Sequence, residues 1–215
     1  ADIESHYNII GEEKKLTQIR KIFQVILTGL LYHEKIYPLG KYLVAALYKI
    51  KFFKGSTPER EIRGETNSDF VARLGGAQAN LAIHQFGRFD YIRNINSRNY
   101  NYLRNSLKNS GFKVLGKDIE KHSPVSSRVP FLVHDPKTAL EWFSKRGIEL
   151  GTWFDGNLSP LPIFNFNVQE FPNLLHVAGH IVNLPCHNRI TKTDLQWFDE
   201  IIQMFAAENP YQLNV

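Results

Sequence analysis

The spacing of apolar and polar residues divides the chain into stretches of different kind. Over residues 13–53 apolar patches alternate with lysines and are interrupted at Pro38-Leu39-Gly40. That pattern predicts two amphipathic helices, about Leu16–Tyr32 and Leu39–Phe53, joined by a turn. Gly55-Ser-Thr-Pro-Glu-Arg60 has the composition of a linker. From Arg73 onward Leu74, Ala77, Leu81, Phe86, Phe89, Ile92, Ile95, Tyr102 and Leu103 recur at steps of three and four. They predict one long helix that closes near Asn109-Ser-Gly111, where glycine supplies a left-handed cap.

The pattern then shortens. Ser126–His134 is a β-rich run, Asp135-Pro136 opens a helix through Leu140, Trp142 and Phe143 to a stop at Arg146-Gly147, and Ile148–Phe154 reads as a second strand. Residues 155–173, rich in Gly, Asn and Pro, read as a loop long enough to suggest a function or an interface. His176–Leu184 reads as a third strand, and Thr191 as the N-cap of a last helix ending before Asn209-Pro210. The expected class is α+β: a helical pair, a long connecting helix, and a small sheet with helices on one face. In domain terms this is a helical segment over 1–65, the connecting helix over 66–110 and a small α+β domain over 111–215.

Composition narrows the possibilities without choosing a function. With 215 residues and 43% hydrophobic content the chain can bury an ordinary core. Its charge is uneven: residues 1–64 carry 11 Lys+Arg against 7 Asp+Glu, residues 80–150 carry 12 against 6, and residues 151–215 carry 2 against 6. The basic front and middle suit an anionic partner or a solvated face. The single cysteine, Cys186, excludes an intramolecular disulfide and fits a reducing compartment. The opening ADIESHYNIIGEEKK shows no basic region followed by an apolar core, so the expected location is the cytoplasm. The apolar runs Val25–Leu31 and Tyr42–Tyr48 fall far short of the roughly 20 residues that span a bilayer. The mixture of aromatics and lysines over 13–53 suits either a membrane interface or packing against the rest of a larger protein.

Several constellations invite a chemical reading. His176, His180 and His187 with Cys186 are zinc-ligand types. On the expected strand, however, His176 and His180 would stand roughly 13 Å apart, too far for one ion, and no metal is expected. Cys186 beside His187 resembles a thiol and its base, but neighbours in an extended chain face opposite ways. No Gly-rich phosphate loop and no nucleophile elbow occurs. The stretch Arg88–Arg104 interleaves four arginines with aromatics, the mixture used for phosphate contact and base stacking, and equally the outer face of a long helix.

Four segments carry a resemblance. Arg73-Leu-Gly-Gly-Ala-Gln-Ala-Asn-Leu-Ala-Ile-His-Gln-Phe-Gly-Arg-Phe-Asp90 resembles the helix of DegT/DnrJ-type sugar aminotransferases that opens on an Arg-Met or Arg-Leu pair and carries Gln-Ala-Ala-Leu. Ile181-Val-Asn-Leu-Pro-Cys-His-Asn-Arg-Ile-Thr-Lys-Thr-Asp194 is similar to that family's closing Asn-Leu-Pro-Cys-His strand and acidic helix start. Ser127–Val133 and Arg146–Phe154 resemble its Arg-containing strand and its Gly-Ile strand leading to Trp-Tyr or Trp-Phe. Order and spacing agree from about residue 66 to 203, and the upstream helical pair resembles an insertion that some members carry there.

The resemblance implies the C-terminal small domain of a fold-type-I enzyme. Such an enzyme is usually a homodimer that binds pyridoxal 5′-phosphate and installs an amine, commonly from glutamate, on a keto-sugar nucleotide. It implies cofactor-side contacts at Arg73 and Gln78, and a substrate entrance near Trp153, Phe154 and the 155–173 loop. The sequence also departs from the family. No lysine stands in the Ser-Phe-x-x-x-Lys context that anchors the cofactor, Lys51 and Lys54 being poor matches, and Val71 occupies a position where many members have Asn. The expected partner is therefore an N-terminal large domain that carries the lysine, and the isolated chain is expected to be inactive. The alternative is a non-catalytic binding or assembly module that presents its basic helix to an anionic partner such as nucleic acid.

Overall fold

Two helices, α1 (Lys15–Leu31) and α2 (Tyr37–Lys49), pair at the start of the chain. Pro38, in the first turn of α2, sits where a missing backbone N–H costs nothing. Gly40 lets that turn approach the end of α1: a Cβ at this position would come 2.0 Å from the carbonyl oxygen of Leu31. Arg20 of α1 holds the chain beyond α2, donating from Nε to the carbonyl of Phe52 at 2.8 Å, with its guanidinium 5.7 Å from the Phe52 ring centroid. The computed structural model describes residues 10–11, 14–33, 35–50, 52–53, 72–116, 125–152 and 170–215. The chain divides into two units, Ala1–Gly87 with Leu161–Ile163, and Arg88–Pro160 with Phe164–Val215.

The long helix expected from Arg73 to Asn109 is two helices, α3 (Gly76–Phe86) and α4 (Phe89–Asn109). Gly87 keeps helical angles (φ −61°, ψ −20°) while Arg88 leaves them (φ −103°, ψ 1°). Glycine is a weak helix former, about 1 kcal/mol worse than alanine, so the interruption falls where the backbone resists it least. Helix α4 keeps the expected ending, with Gly111 at φ 91°.

The second unit is built on an antiparallel sheet in the order β1 (Lys113–Val114), β2 (Arg128–Leu132), β3 (Ile181–Pro185). Val129 opposes Leu184 and Phe131 opposes Val182, so these four share one face. That face packs with Tyr100, Leu103 and Leu107 of α4, with Ala139 and Phe143 of α5 (Pro136–Ser144), and with Phe198, Ile202 and Phe205 of α7 (Lys192–Glu208). The helices thus gather on one side of a small sheet, and the α+β class expected from the sequence is the one observed.

Capping explains the helix boundaries. Asp135 accepts from the backbone N of Lys137 at 3.0 Å at the start of α5, and Gly147 follows its end at φ 79°. Thr191 and Asp194 close a reciprocal capping box on α7, Oγ1 of Thr191 accepting from Asp194 N at 3.2 Å and Asp194 Oδ2 from Thr191 N at 2.8 Å.

Two further expectations are corrected. His176–Leu184 is not one strand: Pro172–His180 is a helix, α6, and β3 begins at Ile181. Pro172 presets the first turn, and Gly179 falls in the last, where its cost is small. The expected strand over Ile148–Phe154 is reduced, in its described part, to a bridge between Gly151 and Asn183, with N to O distances of 2.8 and 2.9 Å. Trp153, Phe154 and most of the 155–173 loop lie outside the described residues.

Candidate functional site

Alternation along β2 turns Val129 and Phe131 into the core and Arg128 and Pro130 to the other face. Arg128 opposes Pro185 on β3, and its guanidinium reaches across to Gly151, where a Cβ would stand 2.4 Å from Nη1. Gly151 is therefore what leaves room for the arginine. Nη1 is shut off from solvent and has no hydrogen-bond partner among the described residues, a condition that is costly for a cationic nitrogen and that favours an oxygen ligand.

The turn after β3 lies beside this arginine. Cys186 is buried, donating its thiol to the carbonyl of Ser126 at 3.3 Å. Burial pushes its pKa up to about 12, against a smaller lowering by Arg128. His187 Nδ1 accepts from the backbone N of Arg189 at 3.3 Å, which leaves the ring neutral with its proton on Nε2. Desolvation of the ring, then the charges of Arg189 and Arg128, hold its pKa below 6.5. Cys186 and His187 are therefore a neutral thiol and a neutral imidazole, not a thiolate and its base.

Asn99 of α4, fully buried, fixes the same turn, its Nδ2 donating to the carbonyls of His187 and Ile190 at 3.2 Å each. Among the described residues neither Arg128 nor Arg189 is ion-paired. Arg128 Nη1 thus stands buried with an unmet donor, beside a thiol and an imidazole that are both neutral.

The sequence-derived candidates lie elsewhere or apart. Arg73 and Gln78 are in the first unit, where Gln78 Oε1 accepts from Gly75 N at 3.3 Å and so caps α3. The side chain of Gln18 fills the space over Gly75, coming within 2.4 Å of where a Cβ would be. Gln78 thus caps α3 through its oxygen, and the approach over Gly75 is occupied by Gln18.

His176 and His180 are one helical turn apart on α6 with ring centroids 5.0 Å apart, correcting the 13 Å spacing expected for a strand. His180 Nδ1 lies 3.0 Å from the carbonyl of Val133 and is the donor there. Among the described residues no group of three or more His, Cys, Asp or Glu is placed to hold a metal ion. In the arginine-rich stretch of α4, Arg104 is buried and donates to the carbonyl of Gly116 at 2.8 Å, and Tyr100 is buried with its pKa raised by desolvation. Both are turned inward and unavailable to nucleic acid. Sequence reasoning missed Asn99 and the Arg128–Gly151 pair, whose roles depend on partners 23 to 91 residues away that spacing alone does not reveal.

No protein-family model matches the chain, and no curated protein matches it. Among solved structures it is similar to a protein described as "Putative sugar aminotransferase Spr1654" from Streptococcus pneumoniae, in its PMP form and in its apo form. In each case the identity is 14%, the TM-score is 0.52, and the match covers 64% of this chain and 37% of that one. The chain therefore has the α+β fold of part of such a structure and spans well under half of its length.

Proposed function

We propose that the chain is the C-terminal, small-domain part of a pyridoxal-phosphate-dependent aminotransferase of DegT/DnrJ type, acting on a keto-sugar nucleotide in amino-sugar or surface-polysaccharide biosynthesis. The observation that carries this reading is the fold likeness to the Streptococcus pneumoniae structures, joined to the resemblance of the Asn183-Leu-Pro-Cys-His187 segment, which forms β3 and the turn beside Arg128. On this reading the division is a helical segment over 1–65, a connecting segment over 66–110 and the small domain over 111–215. Its setting is a cytoplasmic homodimer.

Pyridoxal phosphate, when bound, supplies the electron sink for exchange of an amine. The reading assigns its lysine and most of its site to a large domain outside this sequence. The isolated chain is then inactive. Arg73 and Gln78 serve as contacts on the cofactor side, Gln78 through its amide NH2 because its oxygen caps α3. Trp153 and Phe154 stand at the substrate entrance.

The test is the gene upstream of the codon for Ala1. An in-frame Ser-Phe-x-x-x-Lys segment followed by a Gly-rich turn is the expected result. A start codon directly before Ala1, with no such segment, would overturn the reading in favour of a non-catalytic module.

A further inference from the structure

Helices α1 and α2 pair along one side and leave another open. Along α1, Leu16, Ile19, Phe23, Ile26 and Leu30 are 79, 62, 49, 56 and 60% exposed, and no residue of the helix is buried. Their spacing of three, four, three and four places them on one stripe that runs the length of the helix, about 25 Å. On helix α2, Leu39 and Tyr42 are exposed as well, 76 and 69%. A continuous apolar stripe of this length is not the scatter of single hydrophobic residues found on any surface.

The charges around the stripe indicate what covers it. The helices and their described flanks carry Lys14, Lys15, Arg20, Lys21, Lys35, Lys41 and Lys49, and neither helix contains an Asp or Glu. Lys41 Nζ stands 5.8 and 5.5 Å from the ring centroids of Tyr37 and Tyr42. The core of a protein–protein interface is depleted of lysine, because an ammonium there loses its hydration. At a bilayer surface the same side chain keeps its apolar stem among acyl chains and its head at the phosphates, and tyrosine sits at the same level. That run of cations along two helices without an acid complements anionic headgroups. No helix among the described residues is long and apolar enough to cross a membrane, so the contact is one that lies on the surface.

We propose that the α1–α2 pair is a membrane-surface element that sinks the Leu16–Leu30 stripe into the headgroup boundary of an anionic bilayer. The test is co-sedimentation of the 215-residue chain with vesicles of phosphatidylcholine alone and of phosphatidylcholine with one third phosphatidylglycerol. At about 0.1 M salt, binding to the anionic vesicles is at least about tenfold the stronger, and it falls as salt is raised. Leu16→Ser with Ile19→Ser lowers it at least about tenfold with an unchanged far-UV circular dichroism spectrum, because both side chains lie on the open stripe. Lys14→Glu with Lys15→Glu removes the preference for anionic lipid.

Absence of vesicle binding by the folded chain overturns the proposal, as does binding that the Leu16/Ile19 pair leaves unchanged. Self-association in light scattering that the same pair abolishes, with no vesicle affinity, would assign the stripe to a second copy of the chain.

Discussion

Cys186 offers a sharp test of the picture of the β3 turn. The thiol has no solvent exposure, and burial raises its pKa from 9.0 to about 12. A three-unit rise reduces the thiolate at pH 8 about a thousandfold, while the greater intrinsic nucleophilicity of the more basic thiolate returns about twentyfold. A disulfide reagent at pH 8 should therefore react at least about 50-fold more slowly with the folded chain than with the chain in urea. Inaccessibility widens the gap until labelling proceeds only through opening, so that its rate tracks the free energy of unfolding.

The same shift has a sign in stability. The folded pKa lies above the unfolded one, so the contribution is present in full below about pH 9 and is lost as pH rises towards 12. Stopped-flow labelling with a chromogenic disulfide, with and without urea, measures the ratio. Native labelling within a few fold of the unfolded rate would refute both the burial and the neutral Cys186–His187 pair, and would reopen a nucleophilic role for the thiol.

Other consequences are accessible to simple measurements. Asn99→Ala removes the donors to two carbonyls at a buried site and should cost about 2–4 kcal/mol in urea unfolding; a loss below about 0.5 kcal/mol would mean that Asn99 does not hold the 187–190 turn. Gly40→Ala places a methyl against the Leu31 carbonyl and should lower the helical content of the α1–α2 pair, at a cost of about 1–3 kcal/mol; an unchanged far-UV spectrum and midpoint would contradict that close approach. For His187 the folded pKa lies below the unfolded value, so its contribution is present above pH 6.5 and is lost as pH falls through and below that value. NMR titration of the ring should show the low pKa, with Arg128→Gln raising it, and a pKa at or above 6.5 in the parent chain would contradict the described surroundings.

Local signals carried well from sequence to structure where a single residue decides a boundary. Asp135-Pro136, Gly147, Thr191 and Gly111 each act through their own backbone or nearest neighbours, and each stands where its chemistry placed it. The run His176–Leu184 misled because Val177 and the residues around Gly179 suit a strand as well as a short helix. The helix is fixed by Pro172 and by the Leu174 and Leu175 amides bonded to the Phe171 carbonyl at 3.0 and 3.1 Å, and that is a matter of where the chain enters the turn. The break between α3 and α4 was hidden because apolar spacing continues through Gly87-Arg88. The unmet donor of Arg128 was not readable at all. Arg128 was visible only as part of a strand, and its unpartnered nitrogen exists because Gly151 comes alongside β3.

The central claim is that this chain contributes a small domain to cofactor chemistry whose anchoring lysine it does not itself supply. The most direct measurement is borohydride reduction of the purified chain with added pyridoxal phosphate, read by visible absorption and intact mass. The account predicts no adduct beyond slow, distributed labelling of surface lysines. A single stoichiometric adduct at one lysine, with an absorption band that reduction removes, would contradict it and make the chain an enzyme with its own anchor.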